Sequence, residues 1–183
     1  MQRMRPLLNK IFILLFLGTI VHLAFIIYYP TFKMWKFDRD IASTSVNKII
    51  HSDKVDSNSR TVIRPSPDLL YSVCAYDASY SPVVITSDVL NTYWAMSFYA
   101  SNSDNYAIIN DMDINSDNVK VYLFGPSSKP TKINDGYAIF SPSNKGAVLI
   151  RRFLGNESNI DELYRNQDSL TCDSLDNLSL IHI

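Results

Sequence analysis

The stretch from Ile11 to Tyr29 contains no charged residue, and it constrains this chain more than any other feature. At about 1.5 Å per residue, a helix of that length approaches the thickness of a hydrocarbon core. Its polar members are Thr19, His22 and the closing pair Tyr28 and Tyr29, which stand where an interfacial aromatic belt would be. Pro30 is expected to end the helix. The residues before the run are basic, but the run is long for the apolar core of a signal peptide. The sequence after it, Tyr-Tyr-Pro-Thr-Phe, has no small-x-small cleavage pattern. An uncleaved anchor over residues 11–29 is therefore expected, with residues 1–10 as a cytoplasmic tail and the rest of the chain extracytoplasmic. The positive-inside rule is nearly balanced: Arg3, Arg5 and Lys10 precede the span, and Lys33, Lys36 and Arg39 follow it.

The net charge of −1 is unevenly spread. In residues 1–40, six basic side chains against Asp38 and Asp40 give +4, which leaves −5 for the remainder. A basic membrane end suits anionic headgroups. An acidic soluble part argues against nucleic acid, because neutralising phosphates needs clustered Lys and Arg. About 140 residues follow the span, enough for one domain with its own core.

Residues 30–60 read as an interfacial collar (Phe32-Lys-Met-Trp-Lys-Phe37), a short amphipathic helix over about 39–51, and a polar loop over 52–60. From 61 to 170 the pattern becomes short β-branched and aromatic runs. These are 61–64, a half-buried strand around 70–76, 82–86, 92–100, 106–109, 119–124, 136–140 and 147–153. Turn signals separate them at Ser81-Pro82, Gly125-Pro126, Asn134-Asp-Gly136, Ser141-Pro142 and Lys145-Gly146. The expected fold is mainly β, an antiparallel sandwich or open barrel with short flanking helices, preceded by one transmembrane helix. A final helix is expected over about Ile160–Gln167. Ser158 or Asn159 can cap it, and Asp161 and Glu162 suit its first turn. A loosely ordered tail is expected from Asp168, residues 171–183 forming the last segment.

The chain has two cysteines, Cys74 and Cys172. They can form one disulfide in an oxidising compartment, worth about 4 kcal/mol in the chain-entropy model, or remain two separate thiols.

The motifs that could carry chemistry are few. Asp111, Asp113, Asn115 and Asp117 place oxygens at alternating positions, as a calcium loop does. However, Ser116 stands where a glycine is needed, and Tyr122 where a bidentate glutamate is needed. A polar hairpin loop is the simpler reading. His22, His51 and His182 have no metal-ligand spacing. There is no Gly-x-Ser-x-Gly elbow, no His near either cysteine in sequence, and no phosphate-cradling glycine loop. Arg151-Arg152 reads as a solvated charge pair at a strand end. The segment Arg64-Pro-Ser-Pro-Asp68-Leu-Leu-Tyr71 is more distinctive. Its prolines rigidify a bend that sets Arg64 and Asp68 at a strand entry, where they can pair or face a ligand.

That segment, with Ser72, resembles the Arg-Pro-Asn-x-Asp-x-Leu-Tyr-Ser signature of the domain-of-unknown-function family numbered twelve fifty-four. Ser66 stands in place of the usual asparagine. The resemblance continues in order through Pro82-Val-Val-Ile, Tyr93-Trp-Ala-Met-Ser-Phe-Tyr99, Tyr122-Leu-Phe-Gly-Pro126 and Leu149-Ile-Arg-Arg152, covering about residues 40–170. It implies a short, membrane-anchored member in the bacterial envelope and a protein partner that supplies a second β domain. It implies no reaction. Three readings follow. The first is a non-enzymatic interaction module facing the periplasm. The second is a ligand or enzyme site around Arg64, Asp68, Tyr71 and Tyr93, without a cofactor unless calcium binds at 111–117. The third is a minor pilin, which the lack of any glutamate in residues 1–29 and the mid-span position of Gly18 disfavour.

Overall fold

The computed structural model describes residues 4–42, 45–56, 58–59, 65–89, 92–129, 131–133, 135–155 and 160–176. The chain opens with one helix, α1 (Met4–Ala42), long and apolar enough to cross a membrane. It does not stop at Pro30, which lies inside it. Two features carry the helix past the proline. Met34, Phe37, Asp38 and Ile41 recur at helical spacing and turn a half-buried stripe toward the β domain. The carbonyl of Pro30 also accepts a hydrogen bond from the Ser103 hydroxyl (3.0 Å).

The helix expected over 39–51 is not formed. α1 ends at Ala42, and β1 (Ile49–His51) follows. β1 pairs antiparallel with β2 (Leu69–Asp77), Ile49 opposite Cys74 and His51 opposite Ser72. Adjacent β-branched Ile49 and Ile50 suit a ladder better than a helix. Asn47 completes the turn into β1. Its side-chain amide donates to the Asp77 carbonyl (3.0 Å), and its amide oxygen accepts the Asp77 N–H (2.7 Å).

The remaining elements are β3 (Val83–Asp88), β4 (Trp94–Ala100), β5 (Asn105–Asn110), β6 (Asn118–Phe124), β7 (Tyr137–Phe140), β8 (Lys145–Phe153), α2 (Ile160–Asp168) and β9 (Thr171–Ser174). They form two sheets, ordered β1-β2-β8-β4-β5 and β7-β6-β3-β9. Among the described strands the pairings are antiparallel except β6 with β7, which is parallel. The mainly β expectation is met, with one helix before the domain and one short helix inside it. Residues 61–64, Asn134, and the cap positions Ser158 and Asn159 lie outside the described residues.

The core lies between the sheets. Cys74, Tyr76, Trp94, Met96, Phe98, Val148 and Ile150 of the first sheet meet Val83, Ile85, Val121 and Leu123 of the second. Alternation explains the choice, since successive strand side chains point to opposite faces. β2 departs from the half-buried expectation, because both of its faces are largely covered. The tail expected to be loose contains a strand over its described part. β9 pairs with β3, and Cys172 forms a disulfide with Cys74, 98 residues earlier, which joins the two sheets. α2 caps one end of the sandwich, where Leu163 packs on Leu70 and Leu154.

Candidate functional site

The outer face of the first sheet is built from Tyr71 and Val73 of β2, Ala147 and Leu149 of β8, and Ser97 and Tyr99 of β4. Each alternates with a core residue along its strand. Two hollows lie on this face and meet over Val73 and Leu149. One, of about 340 Å³, is walled by Ser52, Val55, Ser59 and Pro65. The other, of about 230 Å³, is walled by Lys33, Met34 and Phe37 of α1. Together they form a trough with an apolar floor, walled on one side by α1. At the α1 end, Ser103 binds the Pro30 carbonyl, and the Lys145 ammonium lies 3.2 Å from Asp77 and 3.9 Å from Asp38. These ion pairs are partly exposed and fix the contact more by position than by energy.

Polar groups gather inside the sandwich near α2. Arg152 shares its face with Val148 and Ile150, and only 3% of its surface is exposed. This corrects the reading of Arg151-Arg152 as a solvated pair. β8 is apolar on both faces, so neither arginine can turn away from packing. The Arg152 guanidinium donates to the Ser87 hydroxyl (2.7 Å), and burial pushes it down to about 10 against the opposing pull of Asp88. Arg151, on the outer face, donates to the Ser97 hydroxyl (3.1 Å). Nearby, Gln167 of α2 donates to the Tyr71 carbonyl (3.1 Å) and to the Ser72 hydroxyl (3.0 Å). Ser72 also shares a hydrogen bond with Nδ1 of His51 (2.9 Å). Burial holds His51 below its ordinary value, Arg152 adds to that effect, and Asp168 opposes it. The Trp94 indole N–H is buried without a hydrogen-bond partner, and Trp94 stands opposite Arg152 in the ladder.

The residues of the Arg64–Tyr71 segment separate. Arg64 lies outside the described residues. Asp68 is exposed, and its carbonyl accepts the Leu154 N–H (2.8 Å). Tyr71 is 6% exposed and lines the trough. Its hydroxyl accepts the Ser66 N–H (2.8 Å), and its carbonyl accepts both the N–H and the hydroxyl of Ser52 (3.0 Å each). Tyr71 thus ties the proline bend and the residues after β1 to the sheet. Tyr93 is 41% exposed and sits in a different hollow, with Asp111, Asn115, Ser116 and Asp117. Asp113 turns away from that hollow and accepts the Asn110 N–H (3.0 Å) within the turn. Among the described residues, no group of three or more His, Cys, Asp or Glu side chains is placed to hold a metal ion.

Sequence reasoning missed Arg152, Ser87, Gln167 and the trough. Two signals pointed to them. Arg152 is in phase with Val148 and Ile150, and Met34, Phe37 and Ile41 are spaced as one helix face.

The crystal structure of the VPA0106 protein from Vibrio parahaemolyticus superposes with a TM-score of 0.67 at 13% identity, over 85% of this chain and 37% of that one. This likeness is one of fold. A putative uncharacterized protein from Burkholderia cenocepacia aligns over 59% of this chain and 31% of that one, at 17% identity and a TM-score of 0.45. The chain thus spans well under half the length of either structure. None of the curated proteins matches it. The family model described as a protein of unknown function (DUF1254) matches residues 46–174, nearly the whole β domain with its joining disulfide. The chain belongs to the DUF1254 family.

Proposed function

We propose that this chain is a membrane-tethered, non-catalytic interaction module of the bacterial envelope, its β domain on the extracytoplasmic side. The observation that carries this reading is the Cys74–Cys172 disulfide in a domain that follows directly on a helix able to cross a membrane. Disulfides persist in oxidising compartments, the periplasm among them, and are rare in a reducing cytosol. The partner in this reading carries a second β domain. Two facts support it. The similar Vibrio structure is longer, this chain spanning 37% of it. Strands β5 and β7 end their sheets, the position at which a partner's strand would add in this reading.

Affinity purification of the tagged chain from gently solubilised native membranes, followed by mass spectrometry, tests the partner. A recurrent β-rich envelope protein is the expected outcome. A stable lone monomer with nothing recurrent would overturn it. Protease treatment of intact spheroplasts tests the side of the membrane. The domain should be digested from outside, and its protection would reverse the topology.

A further inference from the structure

The trough on the first sheet differs from an ordinary surface groove because one of its walls belongs to the anchor. Lys33, Met34 and Phe37 lie three to seven residues beyond Pro30 on the same unbroken helix whose earlier turns are exposed and apolar. The Lys33 ammonium lies over the Tyr29 ring, 5.4 Å from its centre. Lys33 is the first charged residue after Lys10, so this pair marks the level at which the helix would pass from hydrocarbon to headgroups. The α1 end of the trough therefore opens at the membrane surface. Its floor of Val73, Ala147 and Leu149 runs on into the hollow walled by Val55, Ser59 and Pro65.

We infer that the trough holds an acyl chain of an anionic phospholipid drawn from the surrounding bilayer, with its headgroup phosphate at Lys33. Three features point to this occupant. The floor is apolar, which suits a hydrocarbon chain and would be unfavourable left in water. The combined space lies within the range of small-ligand sites, which are mostly apolar with few polar contacts. Lys33, the basic side chain among the described residues that line this hollow, is a compact charge suited to phosphate, with Lys36 and Arg39 on the next two turns of the helix. A single chain bound this way would hold the domain against the bilayer without any protein partner.

The test uses the full chain in phosphatidylethanolamine vesicles doped with phosphatidylglycerol that carries a diazirine at the end of one acyl chain. After irradiation, the adducts are mapped by mass spectrometry. Wild type should be labelled in residues 71–73 and 147–149 as well as in residues 7–29. Val73→Trp, which fills the trough, should cut the domain adducts about tenfold and leave the helix adducts unchanged. Leu149→Asn, which makes the floor polar, serves as the second variant and decides the matter should Val73→Trp fail to form the disulfide. Lys33→Glu should remove the preference for the phosphatidylglycerol probe over a phosphatidylethanolamine probe. Labelling confined to residues 7–29 in wild type, or domain labelling that survives in the folded variants, would overturn the inference. Neither result would bear on the partner reading, which is decided by what copurifies.

Discussion

Cys74 on β2 and Cys172 on β9 are covalently joined across the sandwich, although 98 residues separate them in sequence. β9 is only four residues long and lies at the edge of its sheet, so this bond anchors that edge strand. Closing a loop of that length restricts the unfolded state by about 4–5 kcal/mol in the chain-entropy model. Cys74→Ala with Cys172→Ala is expected to lower the stability of the domain by most of that amount. Urea unfolding followed by tryptophan fluorescence reads it, and an unchanged midpoint would contradict the assignment. In whole cells, the cysteines should resist alkylation until a reductant is added.

Arg152 and Ser87 should respond unequally to substitution. The guanidinium is charged at neutral pH in a buried position, and its lowered pKa means that burial opposes the charge. Relief comes only as pH rises past about 10, so at pH 7 the domain carries the full cost. Ser87→Ala leaves that charge without its hydroxyl acceptor and is expected to cost about 1–3 kcal/mol. Arg152→Met removes the charge and is expected to stay within about 1 kcal/mol of wild type or to stabilise. If Arg152→Met proves much the worse of the two in denaturant titrations, the arginine has a role beyond packing.

His51 predicts a pH dependence in the mildly acidic range. Its folded-state pKa lies below 6.5, mainly through burial, so the folded domain favours the neutral ring. The resulting stability is complete above 6.5 and is lost as pH falls from there through the folded value. The melting temperature should therefore drop on acidification across this range. His51→Gln keeps a polar group near Ser72 but cannot titrate, and its melting curve should be flatter. An identical slope in the variant would place the effect elsewhere.

Gly146 cannot accept a side chain. A Cβ there would run into the Tyr99 carbonyl oxygen and the Tyr76 hydroxyl. That hydroxyl is buried and bonds Ser141 (2.8 Å), Tyr106 (3.2 Å) and the Tyr99 carbonyl (3.2 Å). Gly146→Ala is expected to cost about 3 kcal/mol or more. Near-ultraviolet circular dichroism of the tyrosines reads the loss, and an undisturbed spectrum at wild-type stability would refute it.

Where the sequence was informative, periodicity carried the signal. The runs at 82–86, 92–100, 119–124 and 147–153 became β3, β4, β6 and β8, because β-branched and aromatic alternation survives in any sandwich context. Four of the five family motifs were legible for the same reason, as they lie on or across β3, β4, β6 and β8, whereas the fifth is the proline bend into β2. Long-range pairing overrode local pattern in three places. Ile49 and Ile50 read as a helix until the free edge of β2 offered a ladder. Thr171–Ser174 looked like tail, because four polar residues become a strand only once β3 and Cys74 are beside them. Pro30 looked like a stop, because the contacts that hold the helix together beyond it come from a sheet more than forty residues away. The candidate site was less legible. Tyr71 and Tyr93 are close in motif order, yet they open into different hollows.

The unbroken course of α1 through Pro30 has a mechanical consequence. A helix of 39 residues is about 58 Å long, nearly twice the depth of a hydrocarbon core. Set in a bilayer, such a rod would carry the domain that Ser103, Lys145 and the apolar contacts of Met34 and Phe37 seat against it. A flexible linker would let the domain sample every height and tilt, whereas a stalk leaves it free chiefly to spin about the membrane normal and to drift in the plane. Any docking surface of this chain would then be carried at a fixed altitude. Its effective concentration would be high for partners presented at that level in the same membrane and low for those presented elsewhere.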